Sequence, residues 1–234
     1  MDDLPLKPRA PIETLIRQGD LLSLLKKAGE LHGHFCPYVA LGVRAGYAAL
    51  KTLGIEQNMG MEEVIAIVET NNCFSDGVQM VTGCTFANNA LIYRDLGKTA
   101  VTVAKRDGTA VRVAVWAEYA NSFDTRYPEA AALFDKIVIQ RQEPTPVEQE
   151  QLMRLWAETS YRQLDVPEGE LFSVQHMNIE VPAYAPIFAS AQCAVCGENV
   201  METRVRLRDG RPICIACAAV EHYQLDGAGI SVRR

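Results

Sequence analysis

No stretch of this 234-residue chain approaches the roughly 20 consecutive apolar residues that a membrane-spanning helix needs. The opening Met1-Asp2-Asp3 has neither the basic nor the apolar region of a secretory signal, so a cytoplasmic protein without membrane contact is expected. Positive charge is also short. Lys and Arg number 23 against 29 Asp and Glu, a formal net charge of −6, which argues against broad nucleic-acid binding because that needs a basic footprint. Nor do the cysteines make the even set of a disulfide framework: there are seven, four of them in paired C-x-x-C spacing, a usage that fits metal binding in a reducing compartment. What the chain does have is apolar bulk. With 48% hydrophobic and 22% charged residues it can bury a core, as one main domain with a smaller module.

The stretch richest in chemistry is His32-Gly33-His34-Phe35-Cys36-Pro37. Proline disfavours helix at the residue before it, so Cys36 is expected to be extended or at a helix N-cap. In an extended run alternate side chains share a face, so His32, His34 and Cys36 converge, a pattern that suits a soft metal or a reactive thiol. Pro37 then launches a helix from Tyr38 to Leu53, with Cys36 at its positive end, where a thiolate is favoured and the thiol pKa lowered. Arg44 on this helix is expected on a solvated face.

Residues 1 to 11 read as an arm. Residues 12 to 31 read as helix, interrupted at Gly19-Asp20, with Asp20 capping the second part. Val64 to Val68 is a short run of apolar, mostly β-branched residues, expected as a buried strand. It hands over to Cys73-Phe74-Ser75-Asp76, where Ser75 or Asp76 can cap a short helix from Val78 to Gly83, and another short helix is expected before Gly97. Cys73, at a strand end, is the candidate further ligand or redox partner of Cys36. Cys84 reads as structural, and Asp76 and Gln79 are available to hold a ligand imidazole.

Thr99 to Ala104 and Thr109 to Val115 read as a hairpin turning at Asp107-Gly108; helices follow over Pro128 to Ile139 and Val147 to Leu164. A returning strand at Leu171 to Met177 carries His176, which is read as a core or edge residue. Prolines at 182 and 186 mark a boundary, giving a core domain over 1–181, a linker over 182–189 and a module over 190–234. In that module Cys193-x2-Cys196 and Cys214-x2-Cys217 have the spacing of a four-thiolate zinc site. Such a site is closed and structural, and contributes folding energy that so small a module lacks. Six Arg, including Arg204, Arg206, Arg208 and Arg211, face five acids from residue 190 onward, too weak a balance for a nucleic-acid face. His222 lies near Cys217 but is not needed as a ligand.

His32-Gly-His-Phe-Cys-Pro with Leu41-Gly42-Val43-Arg44-Ala45-Gly46, Cys73-Phe-Ser-Asp76-Gly-Val-Gln79 with Thr82-Gly83-Cys84-Thr85, and Leu96-Gly97-Lys98 together resemble the formylmethanofuran dehydrogenase E-subunit family over about residues 20 to 115. The C-terminal module resembles the treble-clef, TraR-like zinc finger that some members append. One departure is Tyr38, where the family commonly has glycine.

The resemblance implies an α+β core, a mixed β-sheet flanked by helices of thioredoxin-like type, with a small C-terminal zinc-finger domain. It further implies His32, His34, Cys36 and Cys73 around a core metal, zinc or another transition metal, with Asp76, Cys84 and Lys98 nearby. Cys36, His34 and Cys73 are the candidates for chemistry. The function so implied is an accessory metalloprotein of a molybdopterin-type oxidoreductase system, with a second copy of the chain and oxidoreductase subunits as partners. The alternatives are an independent zinc- or thiol-dependent enzyme acting on a small molecule, and a zinc-finger regulator.

Overall fold

Helix punctuation sets the entry to the core. In the computed structural model, which describes residues 6–234, α1 (Ala10–Gln18) ends on Gly19 at φ 68°. Helix α2 (Leu21–His32) starts at Asp20, whose carboxylate accepts the Ser23 N–H. Of the expected arm, residues 1–5, including the Met1-Asp2-Asp3 start, lie outside the described residues, and Ala10 and Pro11 already belong to α1. Helix α2 runs through His32 and stops on Gly33 at φ 91°, so the His/Cys stretch is entered from a helix end and not along the straight segment expected. Cys36 itself is extended, φ −146° and ψ 156°, and Pro37 opens α3 (Pro37–Leu53), as an X-Pro junction favours.

Strand β1 (Val64–Val68) is buried at all five positions. Helix α4 (Phe74–Thr82) starts earlier than expected, with Cys73 at its N-cap position. Neither Ser75 nor Asp76 caps it. The Asn72 side chain accepts the Phe74 N–H, while the Ser75 hydroxyl donates to the Thr70 carbonyl. The helix expected before Gly97 is instead a set of turns followed by β2 (Leu91–Tyr93). Asn88 takes the N–H groups of Thr85 and Ala90 on its side-chain oxygen, local bonding that competes with helix.

Strands β3 (Ala100–Lys105) and β4 (Thr109–Val115) form the expected hairpin. Then come α5 (Ala117–Asn121), α6 (Phe123–Arg126) and α7 (Pro128–Phe134), the last running into a π-helical turn, Asp135–Ile139. Helix α8 (Pro146–Leu164) opens on a Thr145/Glu148 capping box, and α9 (Glu168–Leu171) leads into β5 (Phe172–Asn178). The sheet order is β2-β1-β3-β4-β5. Strands β1 and β2 are parallel and the other pairs antiparallel, which makes the sheet mixed. Exposed His176 sits on β5, an edge strand. Arg44, expected in solvent, is buried: its Nη1 donates to the carbonyls of Gln163 and Leu164 at 2.8 and 2.7 Å. A cation at the C-terminus of α8 satisfies carbonyls that the helix leaves unpaired.

The chain divides into two compact units between Pro182 and Ala183. The second unit holds three hairpins, β6 (Ser190–Gln192) with β7 (Asn199–Met201), β8 (Val205–Arg208) with β9 (Arg211–Cys214), and, after the one-turn α10 (Ile215–Ala218), β10 (His222–Asp226) with β11 (Gly229–Arg233). Its buried cluster is Cys193, Ile213 and Cys214. Among the described residues no helix is long and apolar enough to cross a membrane.

Candidate metal centres

Two glycines hold the core thiols side by side. Gly42 on α3 and Gly77 on α4 let the helix backbones touch: a Cβ at Gly77 would stand 2.6 Å from the Val43 nitrogen and 2.9 Å from the Gly42 carbonyl carbon. The crossing brings the first residues of both helices together, with Cys36 ahead of α3 and Cys73 ahead of α4. Each sulfur therefore sits at the positive end of a helix.

One donor atom each from His32, His34 and Cys36 lies within 4.8 Å of the other two. The three converge although His32 is helical, because the Gly33 turn and the extended Cys36 together reverse the chain. His32 Nδ1 lies 2.7 Å from Asp76 Oδ2, and Gln79 Nε2 donates to Asp76 Oδ1 at 3.0 Å. A carboxylate only accepts, so Nδ1 carries the proton and the lone pair is on Nε2. That Nε2 is buried and takes no hydrogen bond. An unsatisfied buried acceptor costs about 1–3 kcal/mol, and a carboxylate-bound imidazole with its other nitrogen free is the arrangement of a metal ligand. His34 stands 4.5 Å from the His32 ring and stacks on Trp156 at 5.5 Å. Burial holds His34 below the usual imidazole range, which favours the neutral ring that can ligate.

Cys73 lies beside Cys36 but outside the set of three mutually close donors. The low-pKa thiol expected at Cys36 is found instead at Cys73. Contact with Cys73 and burial push Cys36 up. The Cys36 S–H, donated to the Cys73 sulfur, pulls Cys73 down to about 6. Both thiols have a helix end, so burial decides which keeps the proton: Cys36 is 4% exposed and Cys73 only half-buried. The pair opens on a cavity of about 680 Å³ whose wall includes Tyr38, Phe134 and Trp156.

Cys84 and Lys98 are in neither the donor set nor the cavity wall. Cys84 is fully buried, its thiol donating to the Val64 carbonyl, and burial pushes it up to about 11. The wall from Ala120 to Ile139 carries no local signal beyond apolar residues in short, polar helices, and Trp156 none beyond an aromatic residue in the long, polar α8.

In the second unit the four sulfurs of Cys193, Cys196, Cys214 and Cys217 lie mutually within 4.8 Å. Cys193 Sγ accepts the Cys214 N–H and Cys214 Sγ the Cys217 N–H. Backbone amides, that of Cys196 foremost, draw Cys193 down to about 6, in keeping with a thiolate ligand. His222 is exposed on β10 and outside this set.

Comparison with known proteins agrees with this division. The family model described as "FmdE, Molybdenum formylmethanofuran dehydrogenase operon" matches residues 31–173, and that of the "Prokaryotic dksA/traR C4-type zinc finger" matches residues 186–223. A protein of Archaeoglobus fulgidus described as "Probable S-adenosyl-L-methionine-binding protein" is 43% identical over 217 residues, covering 91% of this chain. The chain spans 57% of that relative's length, and the description belongs to the whole of it. The crystal structure of an FmdE-like protein from Syntrophus aciditrophicus, of the tungsten formylmethanofuran dehydrogenase type, superposes with a TM-score of 0.55 at 20% identity, covering 85% of this chain and 91% of that one, and so shares the fold. With donors gathered in both units and a family match over residues 31–173, more than half of its length, the chain is a metal-binding protein that belongs to the FmdE family and carries a C4-type zinc finger.

Proposed function

We propose that the larger unit binds a small molecule at a soft divalent metal, zinc by its donor chemistry, held by His32, His34 and Cys36, with Cys73 or the incoming ligand at the fourth position. The observations that carry this reading are the buried Nε2 of His32, left without a partner while Asp76 holds Nδ1, and the gathering of donor atoms of His32, His34 and Cys36 within 4.8 Å of one another. Imidazole with thiolate suits zinc and its neighbours. Three protein donors beside a cavity is the count of a reactive centre, in contrast to the closed four-sulfur finger. When bound, such an ion supplies Lewis acidity to its ligand. The chain's own residues do the rest: Asp76 fixes the His32 ring, burial keeps His34 neutral, and Trp156 with Phe134 screens the cavity side from water.

The finer reading is a cytoplasmic accessory metalloprotein of a molybdopterin-type oxidoreductase system, working as a homodimer or with oxidoreductase subunits; the operon named in the family description is what favours the oxidoreductase link. A second reading, an independent zinc- or thiol-dependent enzyme, is favoured by Cys73, a low-pKa thiol on the cavity wall. Metal analysis of the full chain tests the core site. Two zinc ions per chain are expected, falling to one in His32→Ala with Cys36→Ser while the far-ultraviolet spectrum is kept. A native content of one, or two that survive both substitutions, rejects the reading.

A further inference from the structure

The cavity over the core donors has a chemistry of its own. At about 680 Å³ it falls within the range of roughly 300–1,000 Å³ typical of small-molecule sites. Its floor is Cys36 and Cys73, and four rings stand around it, Tyr38, Phe123, Phe134 and Trp156. The acidic side chains on its wall are Asp124 and Asp135, with the Cys73 thiol at its floor; among the described residues no lysine or arginine lines it. On the wall itself a phosphate or carboxylate would meet like charge and no cationic side chain, the proposed ion being its one positive partner, whereas a cationic ring would meet both acids and the ring faces. Trp156 joins the two halves of the site. Its indole stacks on His34 with ring centroids 5.5 Å apart and packs against Phe134 at 5.9 Å, and the donors that themselves line the cavity are the sulfurs of Cys36 and Cys73. Two other hollows, lined by Glu150, Arg154 and Glu158 among others, follow the outer face of α8 and offer neither sulfur nor imidazole.

We infer that the cavity takes a planar, ring-containing small molecule, uncharged or cationic, with one sulfur or nitrogen donor that binds the core metal while its ring packs against Trp156. The inference rests on the proposed metal site and adds the ligand class. Binding here is ligand exchange at the ion, with no bond in the guest broken.

Calorimetric titration of the full, zinc-loaded chain under reductant tests it, with zinc content measured on the same sample before and after. The probes are 4-mercaptopyridine, 4-mercaptobenzoate and 2-mercaptoethanol, which share a sulfur donor and separate ring from charge. We expect 4-mercaptopyridine to bind at least tenfold more tightly than either of the others. In Asp124→Asn with Asp135→Asn the gap between the two aromatic thiols should narrow to under threefold. In Trp116→Phe, where Trp156 is the remaining indole, 4-mercaptopyridine should quench its fluorescence saturably; should that variant misfold, the calorimetric ranking on the unmodified chain decides. Equal or tighter binding of 4-mercaptobenzoate or of 2-mercaptoethanol overturns the ligand class. A content of one zinc per chain overturns the metal reading instead, and the sulfur-free pair benzamidine and benzoate then reads the cavity alone. Benzamidine binding no tighter than benzoate overturns the charge preference as well.

Discussion

Gly42 and Gly77 meet backbone to backbone where α3 crosses α4, with the Gly77 Cα 3.1 Å from where a Cβ on Gly42 would lie. Cys36 and Cys73 are neighbours because of this contact, since each stands at the head of one of the crossing helices. Alanine at Gly77 gains about 1 kcal/mol of helix propensity but forces overpacking that costs about 1–3 kcal/mol or more. The backbone atoms it would meet cannot rotate away as a side chain could, so the clash wins. Gly77→Ala should lower the denaturant midpoint and, by parting the thiols, weaken core zinc retention. An unchanged midpoint would show that the crossing has slack.

Asp76 fixes the His32 ring through a bond of 2.7 Å. Removing such a partner typically costs 10–100-fold in metal affinity. Asp76→Asn should therefore lose core zinc to a competing chelator at 10–100-fold lower chelator concentration, while the finger's zinc is retained. Equal loss from both centres would mean that the substitution acts on general stability and not on the ring.

The buried hydrophobic cluster of the second unit is only Cys193, Ile213 and Cys214. A fully buried aliphatic side chain contributes about 1.5–3 kcal/mol, so three such residues fall far short of the backbone ordering cost of roughly 1–2 kcal/mol per residue summed over Ala183–Arg234. Structural zinc supplies about 10–16 kcal/mol in small fingers. Stripping zinc, or Cys214→Ser, should abolish amide-exchange protection in β8 and β9 and leave that of β3 and β4 intact.

Glu69 accepts two bonds from Arg112, at 2.6 and 2.8 Å. Arg112 holds its carboxyl below the usual glutamate range. The unfolded chain then binds a proton at Glu69 more readily than the folded one. The stabilisation is present above the ordinary glutamate pKa and is lost as pH falls through the lower folded value. Urea midpoints from pH 7 to pH 3 should fall less steeply in Glu69→Gln than in the native chain. Identical slopes would show that the pair adds nothing.

Local chemistry is legible where neighbours in sequence decide the outcome. Asp20 capping α2, Pro37 opening α3, the Asp107-Gly108 hairpin and the four finger cysteines all read directly. The mixed sheet with flanking helices follows from the family resemblance. Expectation and structure part where a distant partner or a short-range competitor rules. Arg44 turns inward because the end of α8, some 120 positions later, presents bare carbonyls. Cys73 and not Cys36 is the acidic thiol because relative burial depends on how α3 and α4 pack. The segment of β2 reads as helix because three residues are too few to show a period and Asn88 organises the turn before it. The cavity wall leaves no pattern because α5, α6 and α7 are each too short to display an apolar face.

That wall is built from a different part of the chain than the floor. The donors come from His32 to Cys36 with Cys73 beside them, whereas most of the rings and both acids come from residues 123–139 and from Trp156. Drift in those short helices would remodel the cavity while leaving the His32, His34 and Cys36 donors in place. On the reading proposed above, relatives with the same donors need not take the same guest.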